Sequence, residues 1–92
     1  MVEWRDVSSY RQGERGKVEP RCWETDVGAF RVVVHRNIHY PPDVWLVSIH
    51  GLWSGPRELT TRHVKGAQIE ALEMLAAACK DALSAMREEV GG

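Results

Sequence analysis

No stretch of these 92 residues approaches the run of about 20 apolar residues that crosses a bilayer. The opening MVEWRDVSSY also lacks the apolar core of a secretory leader, so the chain reads as cytoplasmic. A charge excess is missing too. Twelve Lys and Arg against 13 Asp and Glu leave a net charge of −1, which argues against coating nucleic acid through bulk charge and leaves room only for a local basic patch. Cysteine is scarce. Cys22 and Cys79 are far apart and fit no CxxC or Cys/His zinc spacing, so two free, buried thiols are expected. Repeats and low-complexity segments are absent. What remains is a chain of ordinary composition, 43% hydrophobic and 27% charged, long enough for one core and not for two.

The pattern of that chain changes once, near Thr60. Before it, residues 29–36 (AFRVVVHR) and 44–50 (VWLVSIH) alternate as strands rich in β-branched and aromatic side chains. Phe30, Val32 and Val34 share one face of the first, and Trp45, Val47 and Ile49 share one face of the second. RCWETDVGAFRV reads as a hairpin turning at Asp26-Val27-Gly28, with Pro20 marking an edge strand. Further strands are expected at 4–10 and 58–61, the first joined to the rest by the polar loop RQGERGKVEP. After Thr60, Ile69, Leu72, Ala76, Cys79, Leu83, Met86 and Val90 recur at alternating intervals of three and four, the seam of an amphipathic helix. Ala71, Leu75 and Ala78 widen the stripe. The expected fold is one α+β domain over 1–92. It is a two-layer antiparallel meander of four to five strands (about 2–61), with one long C-terminal helix (about 62–90) packed on one face.

Such a helix is about 40 Å long, while the central strands span about 25 Å, so it outruns the sheet. In a meander the 51–56 turn lies at the end where the helix departs. Trp53 is therefore expected as a lid on the overhanging stripe beside Leu83 and Met86, or, failing that, as part of an exposed apolar patch with them. The spacing also permits helix pairing in a homodimer.

Catalytic chemistry has little to stand on. His35, His39, His50 and His63 are scattered over strand ends and loops and do not share a metal-binding face, so no metal is expected. No Ser or Cys sits in a nucleophile elbow, and RQGERGKVE has glycines and a lysine without the spacing of a phosphate loop. A non-enzymatic protein without cofactors is the expectation. One constellation stands out. Arg62, His63 and Lys65 gather where the helix begins and Glu88 and Glu89 where it ends, the reverse of what the helix dipole favours. The 37–43 loop falls at the same end of the sheet, so Arg36, His39, Tyr40, Arg62, His63 and Lys65 are expected to form one basic, aromatic-containing binding surface, with Asp43 nearby.

The stretch VWLVSIHGLWSGPRELTTRHVKGAQIEALEML resembles, in its strand, turn, short strand and helix layout, small phage-encoded proteins, anti-CRISPR inhibitors among them. It also looks like the three-strands-plus-helix DNA-binding domains of AP2 and integrase-arm type, though the exposed sheet face would present Arg31, Val33, Leu46 and Ser48 and few base-reading side chains. The likeness covers the last two thirds of the chain and is one of layout and size, with no diagnostic motif, so it transfers no functional residue. It implies an inhibitor or accessory factor that binds a host protein or ribonucleoprotein. The alternative is a small nucleic-acid-binding module using the same basic end.

Overall fold

A computed structural model describes residues 2–9 and 19–91. Five strands run in chain order as one antiparallel sheet: β1 (Arg5–Asp6), β2 (Cys22–Val27), β3 (Phe30–His35), β4 (Leu46–His50) and β5 (Arg57–Glu58). One helix, α1 (Val64–Gly91), follows and packs on one face. The two-layer α+β meander expected from the period change is the observed architecture.

The register explains the core. Val27 pairs with Phe30 across a two-residue turn, Gly28-Ala29, in which Gly28 has φ 58°. Positive φ at the first turn position suits the right-handed twist of a hairpin and falls on the one residue without a Cβ penalty. The turn thus lies two residues later than the spacing suggested. Register then stacks Thr25, Val32 and Ile49, and next to them Trp23, Val34 and Val47, on the helix-facing side. Val32, Val34, Val47 and Ile49 are fully buried, Trp45 and Leu59 nearly so. Each such side chain contributes about 1.5–3 kcal/mol relative to exposure. Trp4, Trp23, Leu52 and Trp53 pack around the rim.

The first strand is shorter than expected: only Arg5 and Asp6 pair, with Glu24 and Trp23, and Tyr10 and the loop at 11–18 lie outside the described residues. Ser8 continues the attachment by side chain. Its Oγ accepts from the backbone N–H of Arg21 (2.8 Å) and Cys22 (3.0 Å). Pro20 precedes β2 and takes no place in the ladder, and β2 is flanked on both sides. The last strand is Arg57–Glu58, starting one residue and ending three residues before the expected 58–61, because Thr60 and Thr61 are held by Glu70 of the helix.

That joint is a reach-back cap. The Glu70 carboxylate accepts from the backbone N–H and the hydroxyl of both Thr60 and Thr61, at 2.7–3.1 Å. These four donors, outweighing the opposing effect of burial, pull its pKa down to about 2. Gly66 lies directly against the Thr61 methyl group, where a Cβ would collide.

The helix meets the sheet through one flank of the expected stripe, Ala71 and Leu75 of the residues that widen it, joined by Ala67, and not through its central seam. Ala67, Ala71 and Leu75 are its buried residues. The three-and-four seam lies about 100° further round at 100° per residue. Ile69, Leu83, Met86 and Val90 are 58, 44, 56 and 89% exposed, and Ala76 and Cys79 are exposed. Small alanines allow closer approach to the sheet than the larger seam residues would, so they took the interface. Cys79 is therefore not the buried thiol expected, and Cys22 is only half-buried; both are free.

The overhang is as expected. Twenty-eight residues make a helix of about 42 Å against about 20 Å for a six-residue strand, and the molecule measures 59 × 25 × 21 Å. Trp53 packs on the core cluster, with the Arg57 guanidinium 3.9 Å above its ring, while Leu83 and Met86 stand outside that cluster. The proposed apolar patch of Trp53, Leu83 and Met86 is thus divided between a core rim and a bare helix.

Candidate partner-binding site

The site grows from Arg36, the residue that leaves β3. Its backbone N–H donates to the Arg21 carbonyl (2.9 Å), and its guanidinium carbon lies 4.6 Å from the centroid of the Trp45 ring. Trp45 is 2% exposed and donates from Nε1 to the carbonyl of Arg62 (3.2 Å), a bond that ties the start of β4 to the segment entering α1. The ring is a buried platform with a cation on it. Among the described residues, Arg36 Nε is buried without a hydrogen-bond partner, and the carboxylate nearest the head group is the exposed Glu19, at 3.9 Å. Arg36 Nε is thus a donor that the described fold leaves without a partner.

Two depressions adjoin it. One is walled by Glu19, Pro20, Trp23, Arg36, Trp45 and the run from Arg62 to Lys65. The other is walled by Arg21, Arg36, Asn37, Ile38, Tyr40 and Pro42 and is the more apolar. Ile38, 94% exposed, and Tyr40, 39% exposed, form its outer lip. The lip is shaped locally: Asn37 accepts from the His39 N–H through Oδ1 (2.9 Å) and from the Tyr40 N–H through its carbonyl (3.1 Å). Both are the turn-forming bonds that asparagine favours.

Of the six residues picked from the sequence, Arg36, Arg62, His63 and Lys65 line one groove. Tyr40 belongs to the adjoining depression that shares Arg36. His39 is exposed beside the groove and lines neither depression. The meander logic that put the 37–43 loop beside the helix start is visible in the Asp43–Arg62 approach of 3.9 Å. The helix begins with no acid in its first turn and ends with no base in its last, so positive side chains and the positive end of the dipole coincide. Sequence reasoning missed Arg21, Ile38 and the tryptophan floor. Ile38 carried a signal, an isoleucine between Asn and His in a loop. The Arg36–Trp45 stack carried none, since only the β3–β4 register brings the two together.

The opposite face of the sheet holds a second cluster. His35 Nε2 lies 3.1 Å from Ser48 Oγ, with Cys22 directly opposite His35 in the ladder. Burial lowers the pKa of His35 and keeps the ring neutral; burial, then the Glu24 and Asp6 carboxylates, raise that of Cys22. Ser48 and His35 resemble a nucleophile and its base. Both sit within strands whose backbone N–H groups pair along the ladder and so do not converge on a developing oxyanion. No group of three or more His, Cys, Asp or Glu side chains among the described residues could hold a metal ion. No described helix is long and apolar enough to cross a membrane.

The fold is of the two-layer α+β class, a five-stranded meander under one helix. The chain matches no protein-family model, and neither its sequence nor its fold shows a significant likeness to a curated protein or a solved structure.

Proposed function

We propose that this is a non-enzymatic interaction protein, binding an acidic surface of a host protein or ribonucleoprotein through the groove of Arg36, Arg62, His63 and Lys65 and the Ile38–Tyr40 lip. The inhibitor or accessory role implied by its phage-type layout is the one proposed. The observation that carries this reading is the Arg36 guanidinium, held on the buried Trp45 ring between a basic groove and an apolar lip. A cation fixed in place loses little freedom on binding, and an exposed aliphatic and aromatic pair beside it has the composition of a binding hot spot.

Nucleic acid is the second reading, favoured by the mixture of basic and aromatic residues. Stacking on bases needs open aromatic faces, and here Trp45 is buried beneath Arg36, which leaves Tyr40 at the lip and the half-buried Trp23 in the groove wall. The protein partner is preferred on that ground.

The test is titration of the intrinsic tryptophan fluorescence with single- and double-stranded oligonucleotides and with an acidic peptide, each at low and moderate salt. The proposal expects at most weak binding to oligonucleotides. It also expects binding of the acidic peptide that Arg62→Ala with Lys65→Ala reduces about tenfold or more without lowering the melting temperature, and that Arg36→Ala reduces as much with a small loss of stability from the lost Trp45 stack. Tight, steeply salt-dependent oligonucleotide binding would replace it with the nucleic-acid reading. Peptide binding indifferent to those substitutions would remove the groove as the site.

A further inference from the structure

The strongest unexplained feature is the helix seam that the sheet does not use. Leu72, Ala76, Cys79, Leu83, Met86 and Val90 follow one another at alternating steps of four and three, with Ile69 one step before, a repeat of 3.5 residues sustained over the exposed length of α1. A helix lying on a sheet has no need of that period; a helix supercoiled with another helix does. In the structure this row is turned away from the sheet, and its large members are mostly exposed.

The flanking charges say what covers it. In heptad terms with Ile69 at position a, the e positions are Glu73, Lys80 and Arg87, and the g positions are Gln68, Leu75, Ala82 and Glu89. A parallel pair brings g against e and creates no ion pair between copies. An antiparallel pair brings e against e. Centred between Ala76 and Cys79, it sets Leu72 against Leu83 of the second copy, Ile69 against Met86, and Glu73 against Lys80, each twice by symmetry. The same arrangement brings the acidic end at Glu88 and Glu89 to the second copy's helix start at Lys65. There, no acid lies in the first turn and no base in the last, so each dipole end meets opposite charge.

We propose that the chain forms an antiparallel homodimer through the 65–90 seam of α1. About 38 Å of helix in a strip about 10 Å wide removes roughly 700–1,000 Å² in total, below the size of standard stable interfaces, so a weak, concentration-dependent dimer is expected. This pairing meets the proposed groove only at Lys65; Leu83 and Glu73, the residues that test it, belong to neither of the groove's depressions.

Sedimentation equilibrium of the full chain over about 5–500 μM tests it, the expected mass rising from one chain to two. Leu83→Asp should hold the protein monomeric while leaving its circular dichroism and its melting temperature at low concentration unchanged, since Leu83 lies outside the core. Glu73→Lys should weaken the dimer about tenfold, and Glu73→Lys with Lys80→Glu should restore it. A monomer throughout, or a dimer untouched by Leu83→Asp, would overturn the proposal. A dimer indifferent to charge reversal at Glu73 would overturn the antiparallel arrangement.

Discussion

Glu70 shows how one side chain can set a junction. Its carboxylate binds four donors of Thr60 and Thr61 and fixes the angle at which the chain leaves β5 for α1. Glu70→Ala should cost about 1 kcal/mol, solvent screening included, measured by urea unfolding. Its pKa of about 2 lies below the ordinary carboxyl value of 4.5. The unfolded state therefore binds the extra proton first. The contribution of Glu70 is complete above pH 4.5 and is lost as pH falls towards 2, so Glu70→Gln should flatten that part of the stability profile. His35 acts in a higher window. Burial lowers its pKa below 6.5, so stability falls as pH drops beneath that value, and a His35 variant should remove this slope. Gly66→Ala should cost about 1–3 kcal/mol, because Thr61, against which the new methyl would press, is itself held by Glu70. Nothing in the spacing of ten between Thr60 and Glu70 signals such a cap in the sequence.

Within the elements, the helix has two halves with different physics. As far as Leu75 it is part of the core; from Ala76 onward only Ala78 is as much as half-buried. Truncation after Lys80 should therefore leave the melting temperature of dilute protein within a few degrees of the intact chain. Trp45→Ala, which empties the 2%-exposed platform under Arg36, should cost about 3–5 kcal/mol. Thiol reagents should modify Cys79 well before Cys22, whose pKa is raised by burial and neighbouring carboxylates. Helix existence and length were legible because the apolar period runs unbroken for 22 residues, from Ile69 to Val90. Which stripe faces the sheet was not. Two stripes about 100° apart were both apolar enough, and closeness of approach decided between them.

At the scale of the molecule, the long axis of 59 Å places the basic groove at the end of the sheet where α1 begins, and the bare seam runs away from it. The groove and the seam meet at Lys65 and are otherwise separate, so Arg36→Ala should leave the dimer unchanged and Leu83→Asp should leave peptide binding by dilute protein unchanged, as sedimentation and peptide titration on the same variants would show. The layout of that surface was half visible in advance. Strand alternation and loop order were enough to bring Arg36, Tyr40 and Arg62 to one end. They could not distinguish Tyr40, on the lip, from His39, beside it.

The sequence by itself determined the elements, their order and the apolar faces of β3 and β4, because local periodicity and turn chemistry act within a few residues. Only the tertiary structure decided that Arg36 rests on Trp45, that Glu70 caps Thr60 and Thr61, that Trp53 joins the core rim, and that Ala67 and Ala71 rather than the 3.5-residue seam meet the sheet. Each of these depends on register and on the distance of closest approach between layers, which no interval along the chain encodes.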